Sequence, residues 1–188
     1  MTDNDKIVSF DDELLILVDE KDEVVGYKDK NACHNGDGIL HRAFSVFIFN
    51  SNNELLIHQR SGQKRLWNLF WTNSCCSHPR KGETYEIATQ RRVKEELGLE
   101  VDLTYLYKFQ YQARFGEEGS ENELCSVYVG KTDELPKVNP NEISDWRYLS
   151  VDELNKELAE HADKYTPWFK MEWKTITENY LDIIKALK

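Results

Sequence analysis

No apolar run in this 188-residue chain approaches the ~18 residues that a membrane-crossing helix needs, so a span of that kind is excluded. Repeats, low-complexity tracts and Pro/Gly/Ser linkers are also missing, which excludes a solenoid and a string of tethered modules. Basic residues are in deficit. The 24 Lys and Arg stand against 34 Asp and Glu, a formal net charge of −10. That balance argues against nonspecific nucleic-acid binding and against docking on an anionic membrane, but it leaves room for a small anion held by local cations. The start, Met1 to Lys6, lacks the basic residues and apolar stretch of a signal peptide. Cysteine is scarce, and adjacent Cys75 and Cys76 make a poor disulfide framework beside Cys33 and Cys125. These four read as reduced thiols in a cytoplasmic protein.

What remains suits a packed core of mixed α+β class. The expected arrangement is one domain over residues 1–188. A catalytic core of about residues 30–150 would carry N-terminal strands (1–29) and C-terminal helices (151–188) packed on it. Strands are expected at 14–18, 24–27, 43–49, 55–59, 103–113, 124–130 and 146–149, with a hairpin turn at 50–53. A helix over 84–97 ends at Gly98, a second follows the N-cap candidate Ser150 to about Glu160, and a third is amphipathic over 167–188.

The chemistry concentrates in Thr72-Asn73-Ser74-Cys75-Cys76-Ser77-His78-Pro79 and in Glu121-Asn122-Glu123. Residues i and i+2 of a strand share a face. Each segment, if extended, therefore offers two reactive groups to one pocket: Cys76 with His78, and Glu121 with Glu123. His34 and His41 lie near turns or strand ends. Together with His78, Glu121 and Glu123 they could complete a near-octahedral site for Mn²⁺, Mg²⁺ or Zn²⁺. His58 and His161 read as structural or solvated.

Glu83, Arg91, Glu95, Glu96 and Gly98 follow the spacing E-x7-R-x3-EE-x-G, which resembles the Nudix box, a loop–helix–loop that binds divalent metal and diphosphate. The four-residue period pairs Arg91 with Glu95 and Arg92 with Glu96. Two positions depart from that pattern. Ser77 stands for its opening glycine, and Arg92 stands where the family has a metal-binding glutamate. The exchange removes a carboxylate and supplies a bidentate phosphate clamp.

Taken together, the 72–79 and 121–123 segments, His34, His41-Arg42-Ala43-Phe44 and the altered Nudix box resemble the type I isopentenyl-diphosphate isomerase family. The resemblance implies a Nudix-type mixed sheet sandwiched by helices, and interconversion of isopentenyl and dimethylallyl diphosphate through a tertiary carbocation. It implies Cys76 and Glu123 as opposed catalytic groups, with Tyr111 hydrogen-bonded to the carboxylate and Glu123 favoured as the forward acid. His34, His41, His78, Glu121 and Glu123 would hold one tightly bound metal. Glu96 would help hold Mg²⁺ with the diphosphate. Lys30, Arg60, Lys64 and Arg92 would surround that diphosphate, and Trp168 would wall the substrate. Apart from the resemblance, Cys75 and Cys125 read as packing thiols, with the strand register of Cys125 and Glu123 leaving open a place for Cys125 on the same wall. The expected partner is the isoprenyl diphosphate alone, and the expected state is a monomer, with a dimer left open. A Nudix hydrolase of a nucleoside diphosphate derivative and a catalytically silent Nudix-fold binding module are the alternatives.

Overall fold

The computed structural model describes residues 5–187; residues 1–4 of the acidic start, and Lys188 at the end of the expected third helix, lie outside the described residues. In chain order the elements are β1 (Leu14–Val18), β2 (Val24–Asp29), α1 (Lys30–Cys33), β3 (His41–Phe49), β4 (Leu55–Arg60), β5 (Trp71–Thr72) and β6 (Cys75–Ser77). Then come α2 (Tyr85–Leu97), β7 (Leu103–Phe115), β8 (Gly119–Lys131), β9 (Ile143–Leu149), α3 (Val151–His161), α4 (Pro167–Asn179) and α5 (Leu181–Ala186).

β3 is the hub. Its near-continuous apolar run is buried on both faces, the pattern of a covered central strand. The period of two sends Ala43, Phe47 and Phe49 into a core shared with Leu154, Trp168, Phe169, Trp173 and Ile176. Phe44, Val46 and Ile48 point the other way, onto Ala88, Val93 and Leu97 of α2. Helices therefore cover both faces of one sheet. β3 runs parallel to β8 from His41↔Glu123 to Phe49↔Lys131 and antiparallel to β6, where Ser45 faces Cys76. β7 and β8 form a long antiparallel pair that sets Tyr111 opposite Glu123. α2 is capped by the Thr84 side chain and by Gly98 in the left-handed region, and α3 opens with a Ser150–Glu153 capping box.

Four expectations change. The 50–53 turn forms, but β3 and β4 share only the Phe49↔Leu55 pair before they splay apart. Ser74 fills the gap, accepting from Ile48 N at 2.8 Å and donating to Leu56 O at 2.6 Å. The 72–79 segment is consequently two short strands joined by inward-pointing Asn73 and Ser74, and His78 sits just beyond β6. The C-terminal helix breaks at Tyr180, whose ring stacks on Tyr107, so α4 and α5 are separate. Strands β7, β8 and β9 also extend beyond the expected limits, and α1 and β5 were not foreseen.

Gly119 is the glycine that the site depends on. A Cβ there would stand 2.2 Å from the His34 carbonyl oxygen, which accepts from Ser120 N at 3.0 Å. Gly119→Ala should therefore push the His34 loop away and destabilise the fold by about 2 kcal/mol. Thermal unfolding checks this, and a wild-type Tm would contradict it.

Candidate active site

Five ligand-type side chains converge. His34, His41, His78, Glu121 and Glu123 each bring one donor atom to within 4.8 Å of all the others. The backbone prepares them. His34 Nδ1 faces Lys30 O at 2.6 Å and His41 Nδ1 faces Ile39 O at 2.6 Å. These Nδ1 contacts turn both Nε2 atoms toward the cluster. His34 Nε2 lies 2.8 Å from Glu121 Oε2, and His78 Nε2 lies 2.8 Å from Glu123 Oε1. His41 Nε2 is buried without a hydrogen-bond partner. Buried polar atoms without partners are uncommon, and a mixed N/O set of this kind fits a divalent cation. Although burial opposes its charge, Glu121 raises His34 to about 8, whereas burial and then the other two imidazoles push His78 well down.

Beside the cluster opens a cavity of about 300 Å³. Cys76, His78, Tyr111, Glu121, Glu123 and Trp168 all line it. Tyr111 Oη donates to Glu123 Oε2 at 2.6 Å, so the two carboxylate oxygens have different duties. Burial pushes the Cys76 thiol up to about 12, while Glu123, despite its burial, is held low by His41 and Tyr111. Trp168 is buried, donates from Nε1 to Thr72 Oγ1 at 3.1 Å and meets Trp67 edge-on at 5.2 Å. Arg60 lies over the Trp168 ring at 5.3 Å and points Nη1 at Cys76 Sγ, 3.9 Å away. Its other donors are taken by the carbonyls of Trp67 and Leu66. Trp67 and Leu69 carry positive φ, a strain that proteins keep where a loop must hold a site.

The other end of the cavity is cationic, with Lys30, Lys64 and Arg92 in its wall. Burial first, and then Lys64, lower Lys30 to about 8. Arg92 is buried and shares Nη2 between Glu96 Oε1 at 2.5 Å and Glu142 Oε2 at 3.1 Å. Glu142 also pairs with Lys64. Against its burial, Lys64 and Arg92 pull Glu142 down to about 2. Glu83 and Arg91 form a two-pronged pair at 2.7 and 2.9 Å that braces the helix.

The sequence-derived residues thus meet in one place, with three qualifications. Glu96 stands behind the cavity wall, on Arg92. Arg60 serves Cys76 and Trp168 more directly than the cationic end. Cys125 is the packing thiol expected and not part of the cavity wall: it is buried against Ser45 Oγ at 3.5 Å and Glu172 Oε1 at 3.6 Å. His58 is a buried structural residue on Ser74 O and His161 is solvated, as expected. Missed were Glu142, whose partner Lys64 is 78 positions away, and the Leu66–Trp67 loop. Glu172 was missed too: it is fully buried, with Oε2 unpartnered.

The NUDIX domain family matches residues 39–169. Isopentenyl-diphosphate Delta-isomerase 1 of Photorhabdus laumondii is 44% identical over 90% of this chain and 98% of its own length. This chain belongs to the isopentenyl-diphosphate Delta-isomerase family of NUDIX-domain proteins. A second member of that isomerase family, from Serratia proteamaculans, is 40% identical, covering 91% of this chain and 95% of itself. Among solved structures, DR0079 from Deinococcus radiodurans superimposes with a TM-score of 0.71 at 28% identity over 89% of this chain and 99% of that one. The MutT protein from Methanosarcina mazei Go1, at 17% identity and a TM-score of 0.61 over 76% of this chain and 96% of that one, shares the fold.

Two outcomes follow for this isomerase-family site. Mn²⁺, Mg²⁺ or Zn²⁺ at about a hundredfold excess over its Kd should stabilise the protein by about 2.7 kcal/mol. Glu121→Gln should remove most of that gain, as read by melting with and without metal. Glu172 is raised by burial to about 8, well above the 4.5 of a free glutamate. The folded state therefore binds the extra proton, and this stability is complete below about 4.5 and lost as pH rises through about 8. Glu172→Gln should flatten the fall in Tm between pH 5 and 8; an unchanged slope would contradict the assignment.

Proposed function

We propose that this chain interconverts isopentenyl diphosphate and dimethylallyl diphosphate by adding one proton to the alkene and removing another. The observation that carries the reading is the shared cavity of Cys76 and Glu123, with Glu123 held by Tyr111 on one oxygen and faced by histidines on the other. Protonating the terminal carbon gives a tertiary carbocation. Loss of a proton from the carbon on the other side then restores a double bond. One group must donate and the other accept, and their roles exchange when the reaction reverses. Cys76 holds its proton at rest, and Glu123, expected from sequence as the forward donor, is the second member of the pair.

The chamber walls supply the rest. Trp168, Tyr111 and Leu66 line the cavity, and Trp67 packs edge-on against Trp168. They exclude water that would trap the cation, and an aromatic face adds about 2 kcal/mol of stabilisation when desolvated. Lys30, Lys64 and Arg92 would grip the diphosphate, whose binding energy places the alkene. A Mn²⁺, Mg²⁺ or Zn²⁺ ion on the three histidines and two glutamates would fix the orientation and proton affinity of Glu123. A diphosphate-borne Mg²⁺ would find Glu96, a residue now occupied by Arg92.

A single working domain across the described residues 5–187 is supported by α4, which brings Trp168 to the cavity that Lys30 of α1 also lines. Four free cysteines support a reducing, cytoplasmic setting. Hydrolysis of a nucleoside diphosphate derivative fits less well, since Arg92 replaces a carboxylate and Cys76 would have no task.

Incubation with isopentenyl diphosphate in deuterated water, followed by NMR, should show bond migration with deuterium incorporation. Cys76→Ala and Glu123→Gln should each lower kcat about 10²- to 10⁴-fold with the melting curve retained. Normal turnover by either variant, or no exchange by the wild type, would reject the roles.

A further inference from the structure

The cationic end of the cavity has a lid-like outer wall that the activity does not explain. Ile7, Ser9 and Asp11 line it, on a segment with neither helix nor strand at residues 7–10. Val8 O accepts from Arg92 Nη1 at 2.9 Å and from Arg80 Nη2 at 3.0 Å. Lys6 O accepts from Asn139 Nδ2 at 2.8 Å, Asp5 O from Asn141 Nδ2 at 3.1 Å, and Asp11 O from Asn31 N at 3.0 Å. Ile7 and Phe10 stay 65% and 48% exposed, so apolar burial contributes little and polar contacts do most of the latching. One of those contacts comes from Arg92, itself a clamp residue.

We propose that this N-terminal strap is a specificity element of the diphosphate subsite, closing over the terminal phosphate so that the site takes a diphosphate monoester and rejects a diester. The proposal rests on the diphosphate reading of the clamp. Lys30, Lys64 and Arg92 share the cavity lining with Ile7, Ser9 and Asp11 of the strap, of which Ile7 and Asp11 are exposed while Arg92 is buried. Ser9 Oγ accepts from Lys30 Nζ, which leaves its own proton for a phosphate oxygen. A second ester group on that phosphate would have to occupy the space of residues 7–11. The strap and the anion are also linked thermodynamically. An anion that orders Arg92 and Lys30 reinforces two of the strap's own contacts, so strap docking and anion binding favour each other.

Calorimetry with inorganic diphosphate and with ADP-ribose, a diester probe, tests this. The full chain should bind the first and exclude the second. Ser9→Ala in the full chain should weaken inorganic diphosphate about tenfold, the loss of one hydrogen bond to a charged group. A chain lacking residues 2–9 should lose at least as much and admit ADP-ribose. Hydrogen exchange of the full chain should slow at residues 7–11 when inorganic diphosphate is added, a readout that needs no variant to fold. Unchanged binding by Ser9→Ala, unchanged discrimination by the shortened chain, or unchanged exchange would each overturn the strap. If the full chain ignores inorganic diphosphate, the clamp reading falls with it. If it binds inorganic diphosphate but isomerises nothing, the strap stands and only the chemistry is lost.

Discussion

The parallel pairing of β3 with β8 is the constraint on which everything else rests. It holds two segments more than eighty positions apart in a nine-position register that puts His41 directly beside Glu123. On the far side of β8, β7 brings Tyr111 to the same carboxylate, and on the far side of β3, β6 brings Cys76 against Ser45. A slip of one residue would turn Glu121 and Glu123 to the opposite face and scatter the His/Glu cluster. The double burial of β3 prevents that slip, because its two sets of apolar side chains already face two different cores.

Around this frame the protein places charge where water is scarce. An acidic chain collects Lys30, Lys64 and Arg92 in one wall, and Glu142 stands among them to balance their repulsion. The α2 helix is braced by Glu83 with Arg91, while Arg92 beside it is a buried cation held by Glu96. Stability is given up in several places near the chemistry: the positive φ of Trp67, the unpartnered oxygen of Glu172 and the unsatisfied His41 Nε2. Such concessions cluster where a site must be ready before its ligand arrives.

Much of the site was legible because it lies in short, rigid patterns. Glu121 and Glu123 share a face through the strand period, and Cys76 and His78 reach the same cavity although His78 lies past the strand end. Arg92 and Glu96 meet through the helix period. Glu142, Glu172 and the Leu66–Trp67 loop escaped notice because no local period links them to their partners. Glu142 meets Lys64 only when β9 folds beside β4, and Glu172 meets Cys125 only when α4 docks on the sheet. The continuous C-terminal helix was misjudged for the same reason, since the stacking of Tyr180 on Tyr107 is a contact between distant segments.

Sequence alone settled the mixed α+β class, the capped Nudix helix with its substituted arginine, the family resemblance and the residue types available for metal and proton chemistry. These follow from periods of two and 3.6 residues and from side-chain chemistry, both of which are local. Tertiary structure alone decided that the three imidazoles point their Nε2 atoms at one spot, that Glu123 divides its oxygens between Tyr111 and the cluster, and that an N-terminal strap reaches the clamp. Those are matters of strand register and packing, which couple residues through space and leave no mark in any short stretch of chain.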